Sequence, residues 1–351
     1  MDDNLERRAI KRYLVTGGAG FIGSNFARLL LSEGAERVVV FDKLTYAGNP
    51  ENLADLAEYP AFEFVQGDIC DAVAVERALG GCEAIVNFAA ETHVDRSLLS
   101  VGEFIQTNVY GTQVLLEAAV RSGIKRFVQV STDEVYGDIP VGISREDDLL
   151  RPRSPYSASK AAAEMMVNAY FETYGLETVI TRGSNTYGPY QFPEKLIPLM
   201  ITNVFEARTL PVYGDGQQVR DWLYVRDHCT GIIAAMERGA AGARYNIGGG
   251  NERRNLDIVL QLLELLDAPQ SLIEHVEDRL GHDRRYALST ERLRALGWQP
   301  EMSFERGLQE TVEWYHAHQK WWRPLKEGRF SSYYERNYGT RSIISTDTPG
   351  E

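Results

Sequence analysis

Between a short apolar run and an amphipathic stretch the chain reads Thr16-Gly-Gly-Ala-Gly-Phe-Ile-Gly23. Glycines at this spacing, where a strand becomes a helix, restrict the fold more than any other segment. Gly17 permits the tight turn, Gly20 lets backbone approach a diphosphate, and Gly23 lets the helix pack on the strand. An ordinary strand-to-helix turn fits the same pattern, so its surroundings decide. Short apolar runs recur at 13–16, 38–42, 62–66, 84–88 and 127–131, separated by amphipathic stretches at 21–31, 72–79 and 103–120. Strands with near-continuous apolar cores, alternating with helices, indicate a parallel doubly wound sheet. Helical spacing continues over 156–174, and another strand follows at 177–182.

Beyond Gly183 the character changes, with loop signals at 185–193, 212–216 and 248–250. The expected fold is α/β: a Rossmann-type doubly wound parallel sheet with a smaller, interleaved α/β substrate domain. Residues 1–183 are expected to form the dinucleotide-binding domain, with 222–238 returning to it. Residues 184–325 are the expected substrate domain, and 326–351 a polar C-terminal tail, of poor order from about residue 330 onward. No repeat at a fixed period is visible.

A chain of 351 residues carrying a net charge of −13 lacks the basic face that nucleic-acid binding needs. A few placed Arg and Lys residues and a helix N-terminus can still bind a diphosphate. Cys70, Cys82 and Cys229 give neither a disulfide framework nor metal-ligand spacing, so no metal is expected. The charged N-terminus has no apolar leader core, and no apolar run approaches the roughly 20 residues that span a bilayer. The expectation is a soluble cytoplasmic protein without membrane contact.

Asp42 ends the second apolar run nineteen positions after Gly23, where a carboxylate accepts from adenosine ribose hydroxyls. It would repel a 2′-phosphate, so NAD is expected over NADP, although Lys43 beside it could tolerate that phosphate. Asp68, ending the third run, fits an adenine contact or equally a helix N-cap.

Ser131-Thr-Asp-Glu-Val-Tyr-Gly137 closes the run 126–131, placing its polar groups at the carboxyl end of a strand, where such sheets bind ligands. Tyr156 and Lys160 follow, four apart at a helix start and so on one face. A nearby ammonium favours the phenolate and lowers the Tyr156 pKa, fitting it to take an alcohol proton during hydride transfer. Asp133 and Glu134 are adjacent carboxyl groups whose repulsion would raise one pKa and leave the other ionised. They could alternatively cap the strand end and turn.

Together these motifs resemble the extended short-chain dehydrogenase/reductase superfamily. Thr132-Asp-Glu-Val-Tyr-Gly137 is similar to the signature of nucleotide-sugar 4,6-dehydratases of the dTDP-glucose type. Asp42-Lys-Leu-Thr-Tyr-Ala-Gly-Asn49, Ala89-Ala-Glu-Thr-His-Val-Asp-Arg-Ser97, Asn185-Thr-Tyr-Gly-Pro-Tyr190 and Gly281-His-Asp-Arg-Arg-Tyr286 support the resemblance. So do Pro193-Glu-Lys-Leu-Ile-Pro198 and Leu210-Pro-Val-Tyr-Gly-Asp-Gly216, and it spans roughly residues 11 to 325.

The resemblance implies oxidation at sugar carbon 4, loss of water across carbons 5 and 6, and return of the hydride to carbon 6. Tyr156, with Lys160 and Thr132, would serve the oxidation; Glu134 would take the carbon 5 proton and Asp133 protonate the departing hydroxyl. NAD, tightly bound and regenerated each turnover, would contact Gly17, Gly20, Phe21, Ile22, Gly23, Asp42, Lys43, Leu44, Thr45, Asp68 and Ile69. Phe88, Ala89, Ala90, Thr92, Thr107, Tyr156 and Lys160 complete that implied set. The nucleotide sugar would meet Thr92, Thr132, Asn185, Lys195, Leu196 and Pro211, with Tyr213 stacking on the base. Arg220 would neutralise phosphate, beside Asn255, Asp278, Arg279 and His282. On residue type alone, Tyr213 also fits core, Lys195 a solvated charge, and Arg220 an ion pair with Asp221. Leu280 and Thr186 depart from the family's usual proline and asparagine.

A dTDP-glucose dehydratase is the leading expectation. UDP-glucose remains an alternative, because one methyl group is worth only about 1 kcal/mol. An epimerase or decarboxylase needs no acid at carbon 6, and a non-catalytic NAD-sensing scaffold needs none of Tyr156, Lys160, Asp133 and Glu134. The resemblance also implies a homodimer pairing helices 103–120 and 155–174 across a two-fold axis; the same helices could simply cover the sheet.

Overall fold

The computed structural model describes residues 10–98, 100–279, 281–327, 334–335, 338–339 and 341–344. In chain order the strands are β1 (Arg12–Thr16), β2 (Arg37–Asp42), β3 (Phe62–Gln66), β4 (Ala84–Asn87), β5 (Arg126–Thr132) and β6 (Thr178–Gly183). Then come β7 (Asn185–Tyr187), β8 (Leu210–Tyr213), β9 (Val219–Tyr224), β10 (Ala243–Ile247), β11 (Glu252–Arg254) and β12 (Ile273–Val276). Seven of them form one sheet in the order β10-β6-β5-β4-β1-β2-β3, and every pairing within it is parallel. This is the doubly wound sheet that the alternating pattern predicts. With β2 on one side of β1 and β4 on the other, connections diverge and a crevice opens at the carboxyl ends of those strands.

Both faces of the sheet are covered, which is why its strands read as unbroken apolar runs. One core joins Val15, Val38, Val40 and Val86 to helices Phe21–Ser32 and Val225–Arg238. The other joins Leu14, Val39, Ile85 and Phe127 to helices Ala72–Leu79, Thr112–Arg121 and Pro155–Tyr174. A third core around Tyr187, Met200, Trp222, Leu262, Phe304 and Trp322 belongs to a second lobe. That lobe holds a three-stranded sheet, β11-β9-β7, and the pair β12-β8.

Several elements differ from the sequence pattern. The single helix expected over 103–120 is broken: Val101–Phe104 passes into a π-helical Ile105–Gly111 before Thr112–Arg121 resumes. Helical periodicity survives such an insertion, so the sequence hides it. The loop expected from 185 begins with the strand β7. Of the stretch 222–238 expected to return to the sheet, the end of β9 belongs to the second lobe and helix Val225–Arg238 covers the sheet, while the seventh strand, β10, lies just beyond it. In the stretch expected as a polar tail, Lys326 Nζ donates to Glu206 Oε2 (2.6 Å) and Asn203 Oδ1 (2.8 Å). Glu277 N–H donates to Ser342 O and Ile344 N–H to His275 O, both at 2.9 Å, so 341–344 lie along β12. Residues 328–333, 336–337, 340 and 345–351 of that tail, and Leu280, lie outside the described residues.

Candidate active site

At the carboxyl end of the sheet lies a cavity of about 300 Å³. Gly17, at φ 66°, places its Cα where a Cβ would stand 2.6 Å from Ala89 N. A Cβ on Gly23 would lie 2.5 Å from Gly17 O, so loop and helix must both be bare for this approach. Gly20 begins helix Phe21–Ser32 without a side-chain cap, so the first N–H groups lack that partner and aim at the cavity mouth. These residues fit a dinucleotide diphosphate.

Asp42 accepts from Ala19 N–H (2.9 Å) and Leu44 N–H (2.8 Å), which fixes its carboxylate at the rim. Burial nonetheless pushes its pKa up, the two N–H donors opposing. Lys43 Nζ meets Asp68 Oδ2 at 2.6 Å, so the cation that could have welcomed a 2′-phosphate is already engaged. Asp68 Oδ1 accepts from Cys70 N–H (2.9 Å), and Asp71 caps the following helix, which removes the N-cap reading of Asp68.

Every residue expected to hold the cofactor lines this cavity except Leu44. The Leu44 side chain packs against the first core, and only its backbone, at φ 59°, serves the rim. Thr107 reaches the cavity from the π-helical turn, whose Asn108 brackets the Glu91 backbone by accepting from its N–H (2.8 Å) and donating to its O (3.1 Å). The fold thus pins residues 88–92 to the cavity wall.

The catalytic candidates converge on the same space. β5 ends at Thr132, and a single turn, Asp133–Tyr136, follows before Gly137 at φ 77° reverses the chain. Ser154 and Ser157 cap the helix that carries Tyr156 and Lys160. Thr132, Asp133, Glu134, Tyr156 and Lys160 all line the cavity. Thr132 Oγ1 donates to Asp133 Oδ1 (3.2 Å), while Asp133 Oδ2 is buried with no hydrogen-bond partner among the described residues.

Burial raises the Asp133 pKa well above the carboxylate range, and neighbouring Glu134 adds to it. Burial also raises Glu134, but Arg279, Arg220 and Lys195 oppose the rise. The pair is therefore electrostatically unequal, as one acid and one base require. The expectation that Lys160 lowers the Tyr156 pKa is not met. Burial and the two carboxylates push Tyr156 up, opposed by a hydrogen bond with Thr132. Lys160 Nζ instead donates to Val130 O (2.7 Å), and burial brings its own pKa down to about 8.

Of the expected substrate residues, Thr92, Thr132, Asn185 and Lys195 line the cavity. Leu196 packs into the third core and Pro211 is buried in β8. Tyr213, Arg220, Asn255, Asp278, Arg279 and His282 belong to a neighbouring cluster in the second lobe. Asp95 joins it to the first, taking Tyr213 OH at 3.1 Å and Arg279 Nη1 at 3.5 Å. Arg220 donates to Asp283 O (2.9 Å) and Val219 O (2.8 Å), and no ion pair with Asp221 occurs among the described residues. Tyr213 is not simple core: its ring stacks on Tyr338 at 5.6 Å between centroids. His282 Nδ1 donates to Asp278 Oδ1 (2.6 Å), and Asn255 Oδ1 is buried with no hydrogen-bond partner among the described residues. Burial lowers the pKa of His93 and His282.

Sequence reasoning passed over Glu194, Ser131, Ser184, Gln191 and His228, which also line the cavity. Glu194 stands inside the quoted Pro193-Glu-Lys motif, so its signal was present. His228 enters from helix Val225–Arg238, and nothing local in the sequence announces it.

The model of the GDP-mannose 4,6 dehydratase family matches residues 14–311. The chain is 51% identical over 321 residues to dTDP-glucose 4,6-dehydratase of Streptomyces niveus, covering 90% of this chain and 96% of that protein. It superposes on DesIV, a dTDP-glucose 4,6-dehydratase from Streptomyces venezuelae solved with NAD and dTDP bound, with a TM-score of 0.88. Identity there is 52%, over 90% of this chain and all of that one. UDP-glucose 4-epimerase of Thermus thermophilus, complexed with NAD, gives a TM-score of 0.81 at 32% identity, covering 88% and 99% of the two chains.

Proposed function

Because the chain belongs to the dTDP-glucose 4,6-dehydratase family, we propose that it converts dTDP-glucose to dTDP-4-keto-6-deoxyglucose. One observation carries this beyond the shared fold: two carboxyl groups in unequal surroundings face the same cavity as Tyr156 and Lys160. An epimerase has no use for the second.

Bound NAD supplies the oxidant for carbon 4, gives the electrons back at carbon 6, and brings a cationic ring that favours the Tyr156 phenolate. Gly17, Gly20 and Gly23 would let its diphosphate approach, and Asp42 would take the ribose hydroxyls. Tyr156 accepts the carbon 4 hydroxyl proton, and Thr132 hydrogen-bonds that oxygen. With a ketone at carbon 4, the carbon 5 proton becomes acidic. Glu134 takes it, the carbon 6–oxygen bond breaks, and Asp133 protonates the departing hydroxyl to water. Glu134 then returns its proton to carbon 5. Arg279, Arg220 and Lys195 help keep Glu134 ionised for the first transfer. Asn185, Lys195 and the Tyr213–Arg220 cluster would hold the nucleotide sugar, with Arg220 and Arg279 at its diphosphate.

The exposed apolar side chains of Val101, Ile105 and Tyr110, on the segments Val101–Phe104 and Ile105–Gly111, and of Met165, on helix Pro155–Tyr174, support a homodimer. Three free cysteines and the lack of any membrane-spanning helix among the described residues support a cytoplasmic location.

The test is incubation with dTDP-, UDP-, CDP- and GDP-glucose, reading the 4-keto product. Turnover should favour the dTDP sugar. Tyr156→Phe should lower kcat about 10²–10⁴-fold. Asp133→Asn with Glu134→Gln should retain oxidation at carbon 4 and stop water loss; normal water loss in that double variant would refute the assigned roles.

A further inference from the structure

Behind the acidic turn lies a buried constellation that the reaction above does not use. Arg182, on β6, is 1% exposed and turns its whole guanidinium inward. Its Nε and Nη2 donate to the carboxylate of Glu164 at 3.1 and 2.6 Å. Its Nη1 donates to the Tyr136 hydroxyl (2.7 Å) and to Glu146 O (3.0 Å), and the guanidinium carbon lies 4.8 Å from the Tyr136 ring centroid. Tyr136 OH donates in turn to Asn246 Oδ1 on β10 (2.7 Å). Glu164 is 0% exposed and sits one helical turn beyond Lys160.

Four elements therefore meet at one side-chain network: the turn after β5, the Tyr156–Lys160 helix, β6 and β10. A buried ion pair is a poor source of stability, since hydrophobic groups of similar volume often do as well or better. Its geometry, however, fixes orientation. Tyr136 is the last residue of the turn that begins with Asp133 and Glu134, and its hydroxyl anchors that turn to the far edge of the sheet. The helix has anchors of its own in the Ser154 cap, the Lys160–Val130 bond and the 2.8 Å bond from Asn108 to Ser159.

We propose that Arg182, Glu164 and Tyr136 are positioning residues that set the acidic turn against the helix, with the Tyr136 hydroxyl controlling the elimination half of the reaction. The proposal rests on the dehydratase reading. Losing the hydroxyl frees the turn but leaves the helix in place, so oxidation at carbon 4 and loss of water separate. A displacement of about 1 Å in a reacting carboxyl group costs up to roughly 10²-fold in rate.

The experiment compares holoenzyme and its Tyr136→Phe variant in a single turnover with dTDP-glucose. Three signals are followed: absorbance of the reduced nicotinamide, exchange of the carbon 5 hydrogen with deuterated water, and the 4-keto-6-deoxy product. Thermal unfolding is measured beside them. Tyr136→Phe should reduce the cofactor at the wild-type rate, accumulate the reduced form, and slow exchange and product together by about 10–100-fold, with a lowered Tm because the buried Asn246 Oδ1 loses its donor. A second variant, Arg182→Met with Glu164→Leu, keeps the volume apolar and should show the same separation of steps. Equal slowing of oxidation and water loss in Tyr136→Phe, or no slowing of either, overturns the proposal. If wild-type protein makes no 4-keto-6-deoxy product, the dehydratase reading itself fails and takes the proposal with it.

Discussion

Lys160 pays for its place in the cavity with a charge that burial disfavours. Its folded pKa of about 8 lies below the ordinary 10.5, so between those values the unfolded chain holds more protons and stability rises with pH. Below the folded value the full cost is present. Lys160→Met should therefore stabilise the fold by about 1–3 kcal/mol at neutral pH while abolishing turnover, the gain shrinking toward the ordinary lysine range. Thermal unfolding across that range checks it; a gain that does not vary with pH would contradict the burial argument. Asp42 makes a second case. With Lys43 tied to Asp68, the carboxylate alone separates the two dinucleotides, and Asp42→Ala should weaken NAD binding about 10–100-fold while narrowing the preference over NADP. Titration of both cofactors measures it. Asp42, the glycines and the acidic pair were legible because a strand end fixes their position locally. The Asp95 bridge between Tyr213 and Arg279 was not, since it joins residues 184 positions apart.

At the scale of elements, chain order and periodicity gave six of the seven strands of the parallel sheet and the helix of Tyr156 almost to their ends. They missed what depends on packing. The π-helical stretch Ile105–Gly111 carries the same apolar rhythm as a regular helix, yet it brings Gly111 so close to Ile69 that a Cβ would stand 2.5 Å from its Cδ1. It also turns Asn108 toward the Glu91 backbone. Asn108→Leu would leave that backbone without its partners, at a cost of about 1–3 kcal/mol, and would loosen residues 88–92 around the cofactor. Lower Tm together with weaker NAD binding is the expected result. A fall in Tm alone would mean that the wall is held by other contacts.

For the whole molecule, the division into lobes follows cores rather than stretches of sequence. After β6 the chain enters the second lobe, returns through helix Val225–Arg238 and β10, and leaves again with β11. Composition shifts marked the first crossing at Gly183, but the later ones left little trace in the sequence, because Arg220 and Asp221 in β9 and Arg244 and Asn246 in β10 interrupt the apolar run that marks a sheet strand. Calorimetry should record a single unfolding transition, with a van't Hoff enthalpy matching the calorimetric one. Two resolved transitions would show that the lobes melt separately. A thread stitched back and forth through two pieces of cloth cannot be drawn from one without puckering the other. A destabilising change beneath the sugar pocket should therefore also shake the grip on the dinucleotide, however far apart the two ligands lie.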